Sequence, residues 1–346
     1  MAAKIRTLVV DDSILARKVI MDGLNRFPGI EVVGFAVNAI DAKTKVRQLK
    51  PDVMTLDVQM PGMTGLDFLK QLLPEYPLPV VLVSALNLGV FDALHAGAVD
   101  FVRKPDNDFT TDMFIRTLAG KVRDASRAKV KVPGKAASAN LGGGPANLGS
   151  AVAGRVVIGL GASTGGTEAT LEVMRRLPED IPGMVVVQHM PVGFTQMYAE
   201  RLNKLCRMEV REAKDGDEVK RGLALIAPAD LQTRILRSPL GGYRVSCTKG
   251  PRVSGHRPSV DALFHSMADN VRCNMVGIIM TGMGRDGAMG LKAMRDKGAF
   301  TIGQDEDSCV VYGMPRAAYE IGAVSQQAAC KDIASVLVSR LRGMKA

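Results

Sequence analysis

Residues 6–27 read RTLVVDDSILARKVIMDGLNRF. The run Arg6–Val10 is short and aliphatic, two aspartates close it, and Ser13–Phe27 then repeats apolar residues at a helical period. A strand that enters an amphipathic helix through a polar turn is half of a β-α-β unit. The pattern recurs downstream. Apolar runs at Glu31–Val37, Val53–Leu56, Val80–Val83 and Phe101–Val102 alternate with helix-period stretches such as Ile40–Leu49. The repeats predict an N-terminal α/β domain over residues 1–123, a doubly wound five-stranded parallel sheet with helices on both faces.

Residues 124–153 change character. Ala, Gly, Ser, Lys and Pro dominate around Gly142-Gly143-Gly144-Pro145, and no apolar period survives. This stretch is expected to be a flexible linker, its first residues compatible with an extension of the preceding helix. Alternation resumes over 154–346. Val156–Leu160, Met184–Val187, Leu223–Ala227 and Met275–Met280 read as strands; Glu168–Leu177, Phe194–Leu205, Val260–Asn270, Ala288–Lys297 and Asp332–Leu341 read as helices. The expectation is a second doubly wound, mostly parallel α/β domain.

Composition narrows the function classes. The net charge of +10 is spread without a long Lys/Arg block, so nucleic-acid binding is not indicated. No apolar run reaches the roughly 18 residues of a membrane span, and no secretory leader precedes the first strand, so a cytoplasmic location is expected. Five cysteines, Cys206, Cys247, Cys273, Cys309 and Cys330, stand far apart with no Cys-x-x-Cys, which fits reduced thiols rather than disulfides or zinc.

In an open parallel sheet, chemistry gathers at the carboxyl ends of the strands. In the first domain those ends carry Asp11-Asp12, Asp57, Ser84 and Lys104-Pro105. Adjacent carboxylates repel and call for a hard divalent cation with oxygen ligands, such as Mg²⁺. A phosphoryl group on Asp57 would be stabilised by Mg²⁺ and Lys104, with Ser84 within reach of one oxygen. Asp11 or Asp12 alone could be a helix cap; the whole set at several strand ends is harder to explain that way.

In the second domain, the strand through Leu160 runs into Gly161-Ala162-Ser163-Thr164-Gly165-Gly166 and then a helix. Gly-x-Ser-x-Gly in a strand–turn–helix context presents a serine hydroxyl on a sharp turn allowed by flanking glycines. A dinucleotide fingerprint is the rival, since Gly159, Gly161 and Gly165 also follow a strand; but the next strand ends in Gln188-His189, not in the acidic residue that a ribose requires. A serine needs a base. His189 ends the neighbouring strand, His256 is a candidate lining residue, and His95 and His265 read as structural. Asp286, in the glycine-rich loop Met280–Gly287, is the leading orienting carboxylate, with Asp261 and Asp305 as weaker ones. Amides of Gly282–Gly284 are candidate oxyanion donors. The order serine, histidine, acid differs from that of an α/β-hydrolase.

Both halves carry resemblances. Val9-Val10-Asp11-Asp12-Ser13, Leu56-Asp57 through Gly65, Ser84-Ala85 and Gly97 through Pro105 resemble the motifs of response-regulator receiver domains. The resemblance implies that Asp57 is phosphorylated, that Asp11, Asp12, Asp57 and the Gln59 carbonyl hold Mg²⁺, that Ser84 and Phe101 form a switch pair, and that Lys104 senses the phosphate. Gly159–Gly166, Gln188-His189-Met190, His256 through Phe264, Met280–Ala288 and Gln304-Asp305-Glu306 with Val311 through Ala318 resemble the chemotaxis protein-glutamate methylesterase family, CheB. That resemblance implies hydrolysis of γ-glutamyl methyl esters on chemoreceptor cytoplasmic helices and deamidation of receptor glutamines. Ser163, His189 and Asp286 would be the triad, Met283 an oxyanion donor and Thr164 a support, with no cofactor for the esterase. It also implies a CheA-type histidine kinase as phosphodonor and an unphosphorylated receiver that blocks the active site. Monomer is the default expectation. One departure stands out: after Ala227-Pro228, members often carry glycine and then histidine, where this chain has Ala229-Asp230. A DNA-binding regulator, a decayed scaffold and a paralogue in another signalling pathway are the alternatives.

Overall fold

The computed structural model describes residues 3–85, 89–107, 109–130, 148 and 156–344. The chain divides into two compact units. In the first, strands β1 (Ile5–Val10), β2 (Ile30–Ala36), β3 (Val53–Asp57), β4 (Val80–Ser84) and β5 (Asp100–Arg103) form one parallel sheet in the order β2-β1-β3-β4-β5. Helices α1 (Ile14–Leu24), α2 (Ala39–Leu49), α3 (Gly65–Leu72), α4 (Gly89–His95) and α5 (Thr111–Ala125) connect the strands and follow the last of them. β3 and β4 are buried along their whole length, as central parallel strands covered on both faces must be. Local chemistry sets the helix starts. Ser13, Asn38, Thr64 and Thr110 each accept a first-turn amide on the side chain, at α1, α2, α3 and α5 in turn. α5 runs two residues past the expected domain end at 123. The rest of the expected linker lies outside the described residues, save 126–130 and Leu148.

The second unit is a seven-stranded sheet in the order β14-β13-β12-β6-β7-β9-β8, parallel at every pairing. Its strands are β6 (Val156–Ala162), β7 (Met184–Gln188), β8 (Glu209–Glu212), β9 (Leu223–Ile226), β12 (Asn274–Ile279), β13 (Phe300–Gln304) and β14 (Gln326–Ala328). β10 (Gln232–Arg237) and β11 (Tyr243–Thr248) form a separate antiparallel hairpin. The helices are α6 (Gly166–Met174), α7 (Phe194–Leu205), α8 (Val260–Asn270), α9 (Ala288–Asp296), α10 (Met314–Glu320) and α11 (Ile333–Gly343). Strand order reverses at β6: β7 lies on one side and β12 on the other. Such a switch point opens a crevice at the carboxyl ends of the strands.

One consequence of this packing differs from the expectation for the serine turn. Gly161 lies inside β6, not in the turn, and a Cβ there would sit 2.2 Å from Val260 Cγ1. Its job is to let α8 approach the sheet. The turn itself uses Gly165, in left-handed backbone at φ 74°, and Ser163 is not among the residues with positive φ. No helix among the described residues is long and apolar enough to cross a membrane.

Candidate functional site

In the first unit the carboxylates of Asp11, Asp12 and Asp57 converge, their ligand atoms within 4.8 Å of one another. Asp11 and Asp57 are buried and Asp12 is exposed. The two buried ones are held by the turns that follow them. Ser13 N donates to Asp11 Oδ1 at 2.9 Å, and Gln59 N donates to Asp57 Oδ1 at 3.1 Å. Arg17, which sequence reading passed over, donates from Nη1 to the carbonyls of Asp11 and Asp12 at 2.7 and 2.9 Å and so fixes the turn between β1 and α1.

Lys104 Nζ lies 2.7 Å from Asp57 Oδ2 and 3.2 Å from Asp11 Oδ2. Burial raises the Asp57 carboxyl above its ordinary value, and the Lys104 bond offsets only part of that rise. For Lys104, burial lowers the ammonium, but its bonds to Asp57 and Asp11 outweigh it and leave the group raised. Asp11 Oδ2 is buried and accepts no well-formed hydrogen bond. Three clustered carboxylates that share a single ammonium, Lys104, keep an excess of negative oxygen donors, which fits a hard divalent cation. Ser84 is buried and its hydroxyl donates to the Ala85 carbonyl at 2.8 Å. Phe101 is buried edge-on to Phe91, with ring centroids 6.4 Å apart.

In the second unit the switch point gathers a different set. Ser163 follows β6, and its amide donates to the Thr281 carbonyl beyond β12 at 3.0 Å. His189 follows β7, and its amide donates to the Ala162 carbonyl at 3.1 Å. The candidate nucleophile and candidate base thus sit at the ends of paired strands, with Ala162 in register with Gln188. His189 Nε2 lies 2.9 Å from Asp286 Oδ2, while His189 Nδ1 is buried without a hydrogen bond. The His189 ring stacks on His256, centroids 3.8 Å apart and planes at 8°, which restricts its rotation.

Asp286 is anchored from the other side. It accepts from the Ser259 hydroxyl at 2.7 Å, the Val260 amide at 2.8 Å and the Asp261 amide at 3.0 Å. These belong to the start of α8, so the carboxylate caps that helix and meets the positive end of its dipole. Burial alone would raise the carboxyl, but the bonds from His189, Asp261 and Ser259 outweigh it and hold it below its ordinary value. Ser259 and the α8 amides escaped the sequence reading; a serine 27 positions from the aspartate it serves leaves no local signal.

The loop after β12 closes against the serine. Thr281 donates its hydroxyl to the Thr164 carbonyl at 3.0 Å and accepts the Val311 amide at 3.0 Å, and its own amide donates to Gln304 Oε1 at 2.9 Å. Thr164 itself is buried. The Gly282 amide is already used, donating to the Val311 carbonyl at 3.0 Å. The Met283 amide donates to no acceptor among the described residues, which leaves it available to a developing negative charge. A Cβ on Gly282 would lie 2.4 Å from Met314 Sδ and 2.7 Å from Ser163 Cβ. Gly282→Ala is therefore expected to displace the loop from the serine. Turnover should fall by roughly 10- to 100-fold, with a stability loss of about 1–3 kcal/mol, measured by initial rates and thermal melting on the same preparation.

The remaining candidates have other partners. Asp261 accepts from the Ser254 hydroxyl and the Gly290 amide, and Asp305 from the amide and hydroxyl of Ser308. Asp230, where the chain departs from the family pattern, adopts left-handed backbone at φ 62° and accepts from Arg257 Nε at 2.9 Å. The departure thus builds an ion pair onto the residue next to His256.

The Response regulator receiver domain profile matches residues 7–112, and the CheB methylesterase profile matches residues 158–337. A Syntrophomonas wolfei protein named protein-glutamate methylesterase/protein-glutamine glutaminase 2 is 52% identical over 330 residues, covering 94% of each chain. The protein-glutamate methylesterase/protein-glutamine glutaminase of Salmonella typhimurium is 43% identical over 346 residues, 98% of this chain and 97% of its own. Among solved structures, the Thermotoga maritima CheB methylesterase catalytic domain is similar with a TM-score of 0.52 and 33% identity, covering 54% of this chain and 99% of that one.

Proposed function

The chain belongs to the CheB methylesterase family, and from that premise we propose that Ser163, His189 and Asp286 are its catalytic triad and Asp57 its phosphorylation site. The enzyme hydrolyses glutamate methyl esters on chemoreceptors, releasing methanol, and deamidates receptor glutamines for adaptation in chemotaxis. Phosphorylation of its receiver domain regulates it. A CheA-type histidine kinase is the proposed phosphodonor, and receptor cytoplasmic helices are the proposed substrate.

The observation that carries the triad is the pair of roles split across one imidazole. Asp286 holds Nε2, and the buried, unbonded Nδ1 is the nitrogen left to take a proton from Ser163. Ser163 Oγ attacks the acyl carbon as Nδ1 removes its proton. Asp286 fixes the tautomer and stabilises the imidazolium that forms. The Met283 amide holds the oxyanion, a contact worth about 3 kcal/mol of barrier, and Thr164 supports the turn. Collapse of the tetrahedral species expels methanol or ammonia with the proton from His189. Water then repeats the sequence on the acyl-serine and releases the glutamate carboxylate. Both reactions are acyl transfers to water, so one triad serves both.

In the receiver, Asp11, Asp12 and Asp57 with the Gln59 carbonyl would hold Mg²⁺, which when bound neutralises the phosphoryl oxygens. Lys104 is placed to pair with a phosphoryl oxygen on Asp57. Ser84 would have to turn away from the Ala85 carbonyl to reach another, with Phe101 as its partner in the switch.

The test is release of labelled methanol from receptor membranes, with and without a small-molecule phosphodonor and Mg²⁺. Serine-dependent release stimulated by the donor supports both sites; no release from several receptor preparations would count against the substrate. Asp57→Asn is expected to keep basal release, to lose acid-labile phosphoryl labelling, and to lose the donor stimulation. That stimulation is about 5- to 150-fold for a coupling of ~1–3 kcal/mol.

A further inference from the structure

Between Ser163 and His189 stands a buried side chain that the triad chemistry does not use. Gln188 is 2% exposed at the carboxyl end of β7. Its Nε2 donates to the Ser163 carbonyl at 2.8 Å and to the His189 carbonyl at 3.2 Å. One carboxamide nitrogen carries two hydrogens, and here each meets the backbone of a different triad residue. The reversed orientation would face Oε1 against two carbonyl oxygens, so the bridge fixes the amide's direction. The other end of the group has no partner: Oε1 is buried and accepts no hydrogen bond.

Leaving a buried acceptor unpaired is destabilising. The fold also makes room for it. A Cβ on Gly166 would lie 2.2 Å from Gln188 Oε1, so the second glycine of the Gly165-Gly166 pair is the floor of the glutamine's slot. An apolar residue of similar size would remove the unpaired acceptor and fill the same space. What it would not do is donate to both carbonyls.

We propose that Gln188 is a positioning residue that clamps the backbone of the nucleophile to the backbone of the base, setting the Ser163–His189 approach. The other ties between these strand ends run from His189 N to Ala162 O, from Ser163 N to Thr281 O and from the Thr281 hydroxyl to Thr164 O. None of those bonds reaches the Ser163 carbonyl, which the Gln188 bond ties to the neighbouring strand. Gly166 N donates to the same carbonyl at 2.7 Å, so the oxygen is held from the turn and from the neighbouring strand at once. Proton transfer between oxygen and nitrogen depends steeply on such placement.

The proposal rests on the triad reading above, and the test separates the two. Gln188→Glu, Gln188→Met and Gln188→Asn are made in the full chain and assayed by methanol release from pH 6 to 9, beside wild type and Ser163→Ala. Active sites are counted by the endpoint of fluorophosphonate labelling, and folding is followed by thermal melting. Gln188→Glu has the shape of the original but, when ionised, faces two carbonyls with a carboxylate. Its kcat is expected to fall roughly 10- to 100-fold at pH 8, with KM within about twofold. Burial raises a carboxyl pKa, so the variant regains a donor as pH drops, and its kcat relative to wild type should rise toward pH 6. A structural role would not produce that trend. Gln188→Met lacks any donor and should show the same kcat loss with a ratio independent of pH. Gln188→Asn, one methylene short of bridging, should fall between Gln188→Met and wild type, and it carries the decision if the other two fail to fold. A flat Gln188→Glu ratio across pH, a loss expressed in KM rather than kcat, or full kcat in Gln188→Asn would overturn the clamp. Methanol release by Ser163→Ala would instead overturn the triad.

Discussion

Ser163→Ala is expected to lower methanol release by roughly 10³- to 10⁶-fold and to leave the protein as stable as wild type, within about 0.5 kcal/mol. The two halves of that expectation have separate causes. The activity loss follows because the proposed acyl-enzyme forms on this hydroxyl, and the residual rate is what the oxyanion donor and substrate binding achieve with water alone. The stability result follows from the contacts. Ser163 Oγ makes no hydrogen bond among the described residues, whereas its backbone amide and carbonyl, which alanine retains, make all the anchoring bonds. Labelling of Asp57 by a phosphodonor should be unchanged, since its carboxylate chemistry depends on Asp11, Asp12 and Lys104. Initial rates, thermal melting and acid-labile labelling on one preparation check all three. A variant that loses activity together with several degrees of melting temperature would show that the serine has a structural partner.

The receiver half was largely legible in sequence because its central strands are buried on both faces and read as unbroken apolar runs, each ended by a polar residue, while the edge strand β2 is half-exposed. Val53–Asp57 and Val80–Ser84 are those central strands. In the second unit the same signal found the central strands β6, β7, β9 and β12 and missed the periphery. β8 reads EVRE, β14 has three residues beginning with two glutamines, and the β10–β11 hairpin alternates polar with apolar residues around the turn at Gly241-Gly242. Such edge strands are half solvated, and their polar faces hide the period. β13, reading FTIGQ, is broken by Gly303, where a Cβ would meet Val324 at 2.9 Å.

At the site, residue type and strand-end position identify Ser163, His189 and Asp286 as candidates, but not how they connect. That His189 presents Nε2 to the aspartate and keeps Nδ1 free depends on a ring orientation set by the His256 stack, a contact between residues 67 positions apart. Gly161 is the instructive miss. A glycine before the serine reads as turn chemistry, yet it serves close packing of α8, which in turn delivers the amides that hold Asp286. The same helix start thus builds the fold and the site, and no local pattern distinguishes the two uses.

That double use makes Asp286→Asn the most informative of the triad variants. Activity is expected to fall by about 10⁴-fold, because an amide presents a donor or a weak acceptor to His189 and no longer enforces the tautomer with Nδ1 free to take a proton. Unlike Ser163→Ala, it should also destabilise the fold. The carboxylate accepts four bonds, from His189, the Ser259 hydroxyl, and the amides of Val260 and Asp261. Asparagine can accept with one oxygen only, and it removes the negative charge from the start of α8. Losing charge-assisted bonds and a cap together costs roughly 3 kcal/mol. The pH dependence carries the same signature. The folded carboxyl titrates below its ordinary value of 3.8, so its stabilisation is complete above that value and is lost as pH falls through the lower folded one. Wild type should therefore keep its advantage over Asp286→Asn from neutral pH down to about pH 4 and lose it only in stronger acid. Denaturant melts at pH 7, 5 and 3 measure this directly. An advantage that already fades between pH 7 and 5 would mean that the folded carboxyl is not held below its ordinary value, and the cap at α8 would then lose its place as the anchor of the proposed triad.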